Sequence, residues 1–223
     1  YNNGGTGIYA SGYRGSLSLS ILNNTVNNNT QYGIYCSSST VTLDHNTIHH
    51  NSYYGLYFDS DTATITNNEI YSNTSHGIYC YYGSSVINNN SIHDNNQYGI
   101  YAFSSSSLTI SLNNIYNNSG GGIYCYASTV ARVNYNNIYG GTYALYNYSS
   151  YAVDARYNWW GAVTTSEMAS GSNPKNISAI YDVYDNPATG TVIYCFIGYN
   201  LWLTSPLAPT NIPTSYITDP VSG

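Results

Sequence analysis

Asp59 and Asp61 are the two carboxylates best spaced for acid-base work or for holding a hard cation, chemistry that needs several oxygens converging on one point. Asp44, Glu69, Asp94 and Asp154 do not join them, because each falls at a different phase of the chain's repeating pattern. Arg14, Arg132, Arg156 and Lys175 find no carboxylate cluster beside them either. In adjacent repeats the places of Asp59 and Asp61 are taken by Ser37 and Ser39, and by Tyr81 and Gly83. The pair therefore reads as a solvated turn, and no catalytic residue is assigned. His49 and His93 share one phase two repeats apart, with Tyr71 between them. Strand spacing would separate their backbones by about 9.6 Å, too far to share a metal ion. His45, His50 and His76 fall at other phases and read as exposed turn residues, so neither a metal nor a cofactor is expected. Cys36, Cys80 and Cys125 share another phase, interleaved with Ala10, Phe58, Ala102 and Asn147. At about 9.6 Å apart they lie beyond the roughly 4.4–6.8 Å window of a disulfide, and read as free thiols in the core. Cys195 lies outside the repeat and its state is left open.

The elements that would position these residues follow from a repeated Asn-x-Ile/Val triplet. Its Asn stands at Asn24, Asn46, Asn68, Asn90, Asn113 and Asn136, with a variant at Asn158, a period of about 22 residues. A Gly-Ile/Leu-Tyr series keeps the same beat at Gly7, Gly33, Gly55, Gly77, Gly99 and Gly122, then Ala144-Leu145-Tyr146. Such a period marks a solenoid whose coils bury their apolar faces only by stacking. Within a coil, Ile34 and Cys36 alternate with Tyr35, and Val41 and Leu43 alternate with Thr42 and Asp44. This period of two over short runs predicts half-buried strands. Three short strands and their turns within one such period describe a rung of a parallel β-helix, an all-β fold with essentially no helix and seven coils between Gly7 and Trp160.

Alignment on the Asn gives two aliphatic core columns. One runs Ile21, Leu43, Ile65, Ile87, Ile110, Val133, Ala155, and the other Val26, Ile48, Ile70, Ile92, Ile115, Ile138, Trp160. The repeated Asn predicts an internal amide ladder that satisfies backbone groups at a bend. A second ladder follows five residues later at Asn29, Asn51, Asn73, Asn95 and Asn118. The Gly at the head of each coil supplies either a positive φ or room for close backbone approach. Tyr9, Tyr35, Tyr57, Tyr79, Tyr101, Tyr124 and Tyr146 form an outward column, and rings about 4.8 Å apart along the axis lie within stacking reach.

The stretch Asp154-Ala155-Arg156-Tyr157-Asn158-Trp159-Trp160-Gly161 resembles the Asn-Trp-Trp-Gly motif that ends the repeat array in secreted and surface proteins of the right-handed parallel β-helix family with pectate-lyase-like repeats. The segment from Ile180 to Pro206 is similar to the closing segment of those proteins. The resemblance implies a right-handed coil over residues 1–161 and a closing cap over 162–206, and the Pro-containing composition of residues 207–223 reads as an extended tail. It implies no single activity, since the family hosts lyases, hydrolases, epimerases, adhesins and surface proteins.

Composition narrows the partners. With 4 Lys and Arg against 10 Asp and Glu, a net charge of -6 and 29 Tyr, the chain has no basic patch for nucleic acid. No apolar run reaches the roughly 20 residues of a membrane span. A start at Tyr1 without Met and seven Asn-x-Ser/Thr sequons fit an exported protein. Asn23, Asn28, Asn89 and Asn117 are the candidate glycosylation sites, whereas Asn73 falls in the second ladder and is expected to point inward. The repeat begins six residues from Tyr1 with no amphipathic cap before it, and the end of the chain carries Pro209, Pro213 and Pro220. An open strand edge and an extended tail favour self-assembly from head to tail. The expected function is a secreted structural protein, a subunit of an extracellular filament, sheath or surface layer and not an enzyme. The alternative is a β-helix that binds or degrades polysaccharide.

Overall fold

A computed structural model describes residues 3–12, 17–105, 107–196 and 199–207. The chain winds as a parallel β-solenoid with three sheets along its axis. The first sheet carries the Gly-Ile-Tyr strands, from Ile8–Ser11 through Ile34–Ser37, Leu56–Asp59 and Ile78–Tyr81 to Tyr143–Ser149. The second begins with Leu17–Leu22, Ser39–Asp44 and Thr62–Thr66, and the third with Thr25–Asn27, Thr47–His49 and Glu69–Tyr71. Register is unbroken: Ile8, Ile34, Leu56, Ile78 and Ile100 stand above one another, as do Ile21, Leu43, Ile65, Ile87 and Ile110. Both aliphatic columns read from the sequence are buried throughout.

Each corner turns on a residue in the left-handed region, such as Asn23, His45, Asn67 and Asn89, with φ of 54–56°. A side chain there costs about 1–2 kcal/mol, and at two of the three corners the ladder amide that follows offsets it. The backbone N–H of Asn46 donates to Asn68 Oδ1 at 2.8 Å, and its Nδ2 donates to the same oxygen and to the Ile21 carbonyl. The pattern recurs at Asn68, Asn90, Asn113 and Asn136 and ends on Asn158. The second ladder runs from Asn29 through Asn51, Asn73 and Asn95 to Asn118. The repeated Gly serves close approach: Gly33, Gly55, Gly77 and Gly99 lie outside the left-handed region. A Cβ on Gly33 would stand 2.6 Å from the Gly55 carbonyl oxygen and 2.8 Å from both Asn51 Nδ2 and Ile48 Cγ2.

Six coils, not the seven expected, contribute a strand to all three sheets. The seventh supplies Tyr143–Ser149 and Val153–Asp154, but at the third corner only Trp159 bridges to Asn137. There Trp160 fills the core column, and Gly161, at φ 80°, turns the chain into a helix, Gly161–Ala169. The period-two reading anticipated essentially no helix. This helix buries Thr164 and Met168, four residues apart on one face. Beyond it, Ile180–Tyr181 and Val192–Ile193 add a further strand to the first and second sheets, so the closing segment continues the solenoid. Leu207 exchanges two hydrogen bonds with the Asn137 side chain, and the expected tail from residue 208 onward lies outside the described residues.

Asn90→Ala should lower stability by about 2–4 kcal/mol, because it orphans the buried Asn68 N–H and Ile65 carbonyl. Urea unfolding should show Asn96→Ala, an exposed neighbour, within about 0.5 kcal/mol of wild type.

Candidate functional site

The outer face of the first sheet gathers most of the aromatic side chains. Tyr9, Tyr35, Tyr57, Tyr79, Tyr101, Tyr124 and Tyr146 stand in register, and Tyr181 of the closing segment extends them. Successive centroids are 4.0–5.1 Å apart. Most pairs stack or tilt, while Tyr57 turns edge-on to both neighbours at 79° and 87°. Tyr9 is 68% exposed, whereas the other six are half-buried between rings.

Two flanking columns went unread in the sequence. Tyr32, Tyr54, His76 and Tyr98 precede the repeated Gly and pack against the central column, Tyr54 on Tyr79 at 4.8 Å and His76 on Tyr101 at 4.7 Å. On the other side Tyr81, Phe103, Tyr126 and Tyr148 form a third row at 5.1–5.7 Å. Their recurrence at the period of the Asn triplet was a usable signal. Burial pushes the Tyr57 phenol up to about 12 and raises Tyr54, Tyr79, Tyr124 and Tyr146, so these hydroxyls stay protonated at neutral pH.

The histidines correct the turn-residue reading. His45 and His50 are exposed, but His49, His76 and His93 take ring positions in stacks. His76 accepts the Tyr98 N–H at Nδ1, and burial pushes it down to about 4, which keeps the imidazole neutral. On the third sheet His49, Tyr71, His93, Tyr116 and Tyr139 stack at 4.7–5.5 Å, with Trp159 edge-on at the end. Tyr71 fills the gap between His49 and His93. Among the described residues no three His, Cys, Asp or Glu stand together as a metal site.

The acids also depart from expectation in two places. Asp61 is 2% exposed and no solvated turn: its carboxylate accepts the Ser39 and Asp59 N–H groups inside the corner. Burial raises its pKa against those two donors. Asp154 meets Arg156 through two 2.7 Å bonds, so this arginine does have a carboxylate partner. Asp44 is held at about 2 by Asn67, His45 and Thr66. Cys36, Cys80 and Cys125 are buried and free, with thiols pushed up to about 12 by burial. Asn23, Asn28, Asn89 and Asn117 lie at left-handed corners with their side chains outside the core, while Asn73 and Asn147 are buried.

A raised native pKa makes the Asp61 contribution largest below its unfolded value and erodes it as pH rises through the folded value. Wild type should therefore lose stability relative to Asp61→Asn across that acid range, read as the difference between urea midpoints at each pH. In a Cys195→Ser background, native protein should resist a thiol reagent at mildly alkaline pH, and unfolding should release three reactive groups.

No curated protein and no solved structure matches the chain. A family model described as a right-handed β-helix region matches residues 6–159, the span that holds both Asn ladders and the six complete coils. With its parallel register and axial ladders, this chain belongs to the right-handed β-helix family.

Proposed function

We propose that this chain is a secreted structural protein, a rigid rod that serves as a subunit of an extracellular filament, sheath or surface layer. The observation that carries the reading is the direction in which its side chains interact. Both amide ladders and all the aromatic columns run along the axis and tie each coil to the next. Stacking also uses up most ring faces of the central Tyr column, the surfaces a sugar would need for stacking.

Head-to-tail assembly is the finer form of the proposal. Among the described residues, Ile8–Ser11, Leu17–Leu22 and Thr25–Asn27 are the outermost strands of their sheets, and Asn29 Oδ1 at this end is a buried acceptor without a partner. A further coil carrying an amide in register would complete it, and weak surface charge leaves little repulsion between copies. Polysaccharide binding is the second reading, favoured by the exposed ring of Tyr9 and the rims of Tyr53, Tyr82 and Tyr148.

Electron microscopy and sedimentation of the purified chain should show fibres that lengthen with concentration. Deleting residues 208–223 should weaken this assembly without altering the circular dichroism of the coils. Dispersed monomers at every concentration would overturn the filament reading, and retention by a soluble polysaccharide in affinity electrophoresis would favour the second. If the natural host glycosylates this chain, peptide mapping should find sugar on Asn23, Asn28, Asn89 or Asn117 and none on buried Asn73.

A further inference from the structure

The outer face of the second sheet is chemically unlike the aromatic one. Ser18, Thr40, Thr62, Ser84 and Ser107 stand in one column, and Ser20, Thr42, Thr64, Val86 and Thr109 in the next. Nine of these ten positions carry a hydroxyl, and Val86 interrupts the second column. Eight of the ten are exposed, Ser84 and Thr109 being half-buried. No charged residue enters either column until Arg132 follows Thr109 in the next coil.

We propose that this face binds ice. Strand geometry sets the hydroxyls about 4.8 Å apart along the axis and about 6.7 Å apart along each strand, two residues at roughly 3.3 Å each. These two repeats lie near the oxygen spacings in two directions on prism faces of hexagonal ice. A hydroxyl can both donate and accept, as each site of a water lattice requires. A full charge would orient its hydration shell against that lattice, and the two columns carry none over five coils.

A second observation separates this array from ordinary polar surface. Among the described residues, none of the nine hydroxyls has a protein hydrogen-bond partner. The adjoining column spends its polar groups internally: Thr66 Oγ1 and Asn67 Nδ2 donate to Asp44, and Asn88 Nδ2 donates to Ser111 Oγ. The five threonine hydroxyls, Thr40, Thr42, Thr62, Thr64 and Thr109, are also held in place, since β-branched Thr is stiff at χ1 and the Asn68 and Asn90 amides fix the adjacent corner. Each contact with a lattice is weak, but contacts made together by a rigid array add as a multivalent interaction. A crystalline polysaccharide suits the face less well, because neither column offers an aromatic ring for a sugar to stack on.

The proposal does not depend on the filament reading and is tested separately, with the purified full chain in an ice-recrystallisation assay and by the shape of single ice crystals. Wild type should arrest grain growth and facet the crystals. Thr64→Lys, at the centre of the array, should raise the concentration needed by about an order of magnitude, whereas Asn114→Lys on the third sheet should leave it unchanged. Circular dichroism reports whether each variant folds. Val86→Thr, which fills the one gap on an exposed site, should lower the concentration needed and keeps the test decisive if Thr64→Lys misfolds. Wild type no better than serum albumin at equal concentration would overturn the proposal. So would a folded Thr64→Lys equal to wild type, or a Val86→Thr that changes nothing. Thr64-dependent sedimentation with crystalline chitin or cellulose, without any effect on ice, would assign the face to polysaccharide and also reject it.

Discussion

The hydrogen bond from the backbone N–H at two of the three corners of a coil to the Asn side chain of the next coil is the constraint on which the solenoid depends. A parallel coil must bend three times in each turn, and every bend removes backbone groups from a sheet ladder while excluding water from them. One amide meets the difficulty because it accepts from the coil on one side and donates to a carbonyl of that same coil, as Asn90 does with the Asn68 N–H and the Ile65 carbonyl. Since the bonded groups lie on neighbouring coils, the motif works only if every coil bends at the same place. This is why the step between ladder residues hardly varies and why the aliphatic columns remain in register.

With corners and core settled this way, the three outer faces are free to differ. The first sheet puts a Tyr ring at the central outward position of every coil, and axial spacing forces these rings into contact, so the aromatic face is cohesive before it meets any partner. The second sheet puts short hydroxylated side chains on the same lattice, and they are too short to reach one another across a strand gap. The third mixes His and Tyr in one stack, where burial rather than charge governs His49. One backbone repeat thus yields three surfaces of unlike chemistry, through side-chain length and polarity alone.

The Asn-Trp-Trp-Gly stretch shows how the array ends. Asn158 completes the ladder, Trp159 covers the last ring of the third-sheet stack, and Trp160 occupies the core column where an Ile would otherwise stand. Gly161 then takes a backbone conformation in which a Cβ would stand 2.9 Å from that of Tyr139, and the chain leaves the third sheet as a helix. Among the described residues, only the first and second sheets continue beyond this point.

Repeat length, strand phase, both ladders and the aliphatic columns were all legible in the sequence, because each is a local periodicity repeated often enough to average out exceptions. The free thiols followed from the same register, since alternate coils cannot bring Cys36 and Cys80 within disulfide range. What escaped depended on contacts between residues at different phases. Asp61 looked like a surface acid because its neighbours in the column are Ser39 and Gly83; only the folded corner shows two N–H groups enclosing its carboxylate. His76 looked like a loop residue until the sheet placed it against the rings of Tyr79 and Tyr101. The role of the repeated Gly was undecided for the same reason, as a close approach to the next coil's carbonyl exists only once the coils are stacked. Periodicity records which residues share a column, and tertiary structure decides what each column meets across the axis.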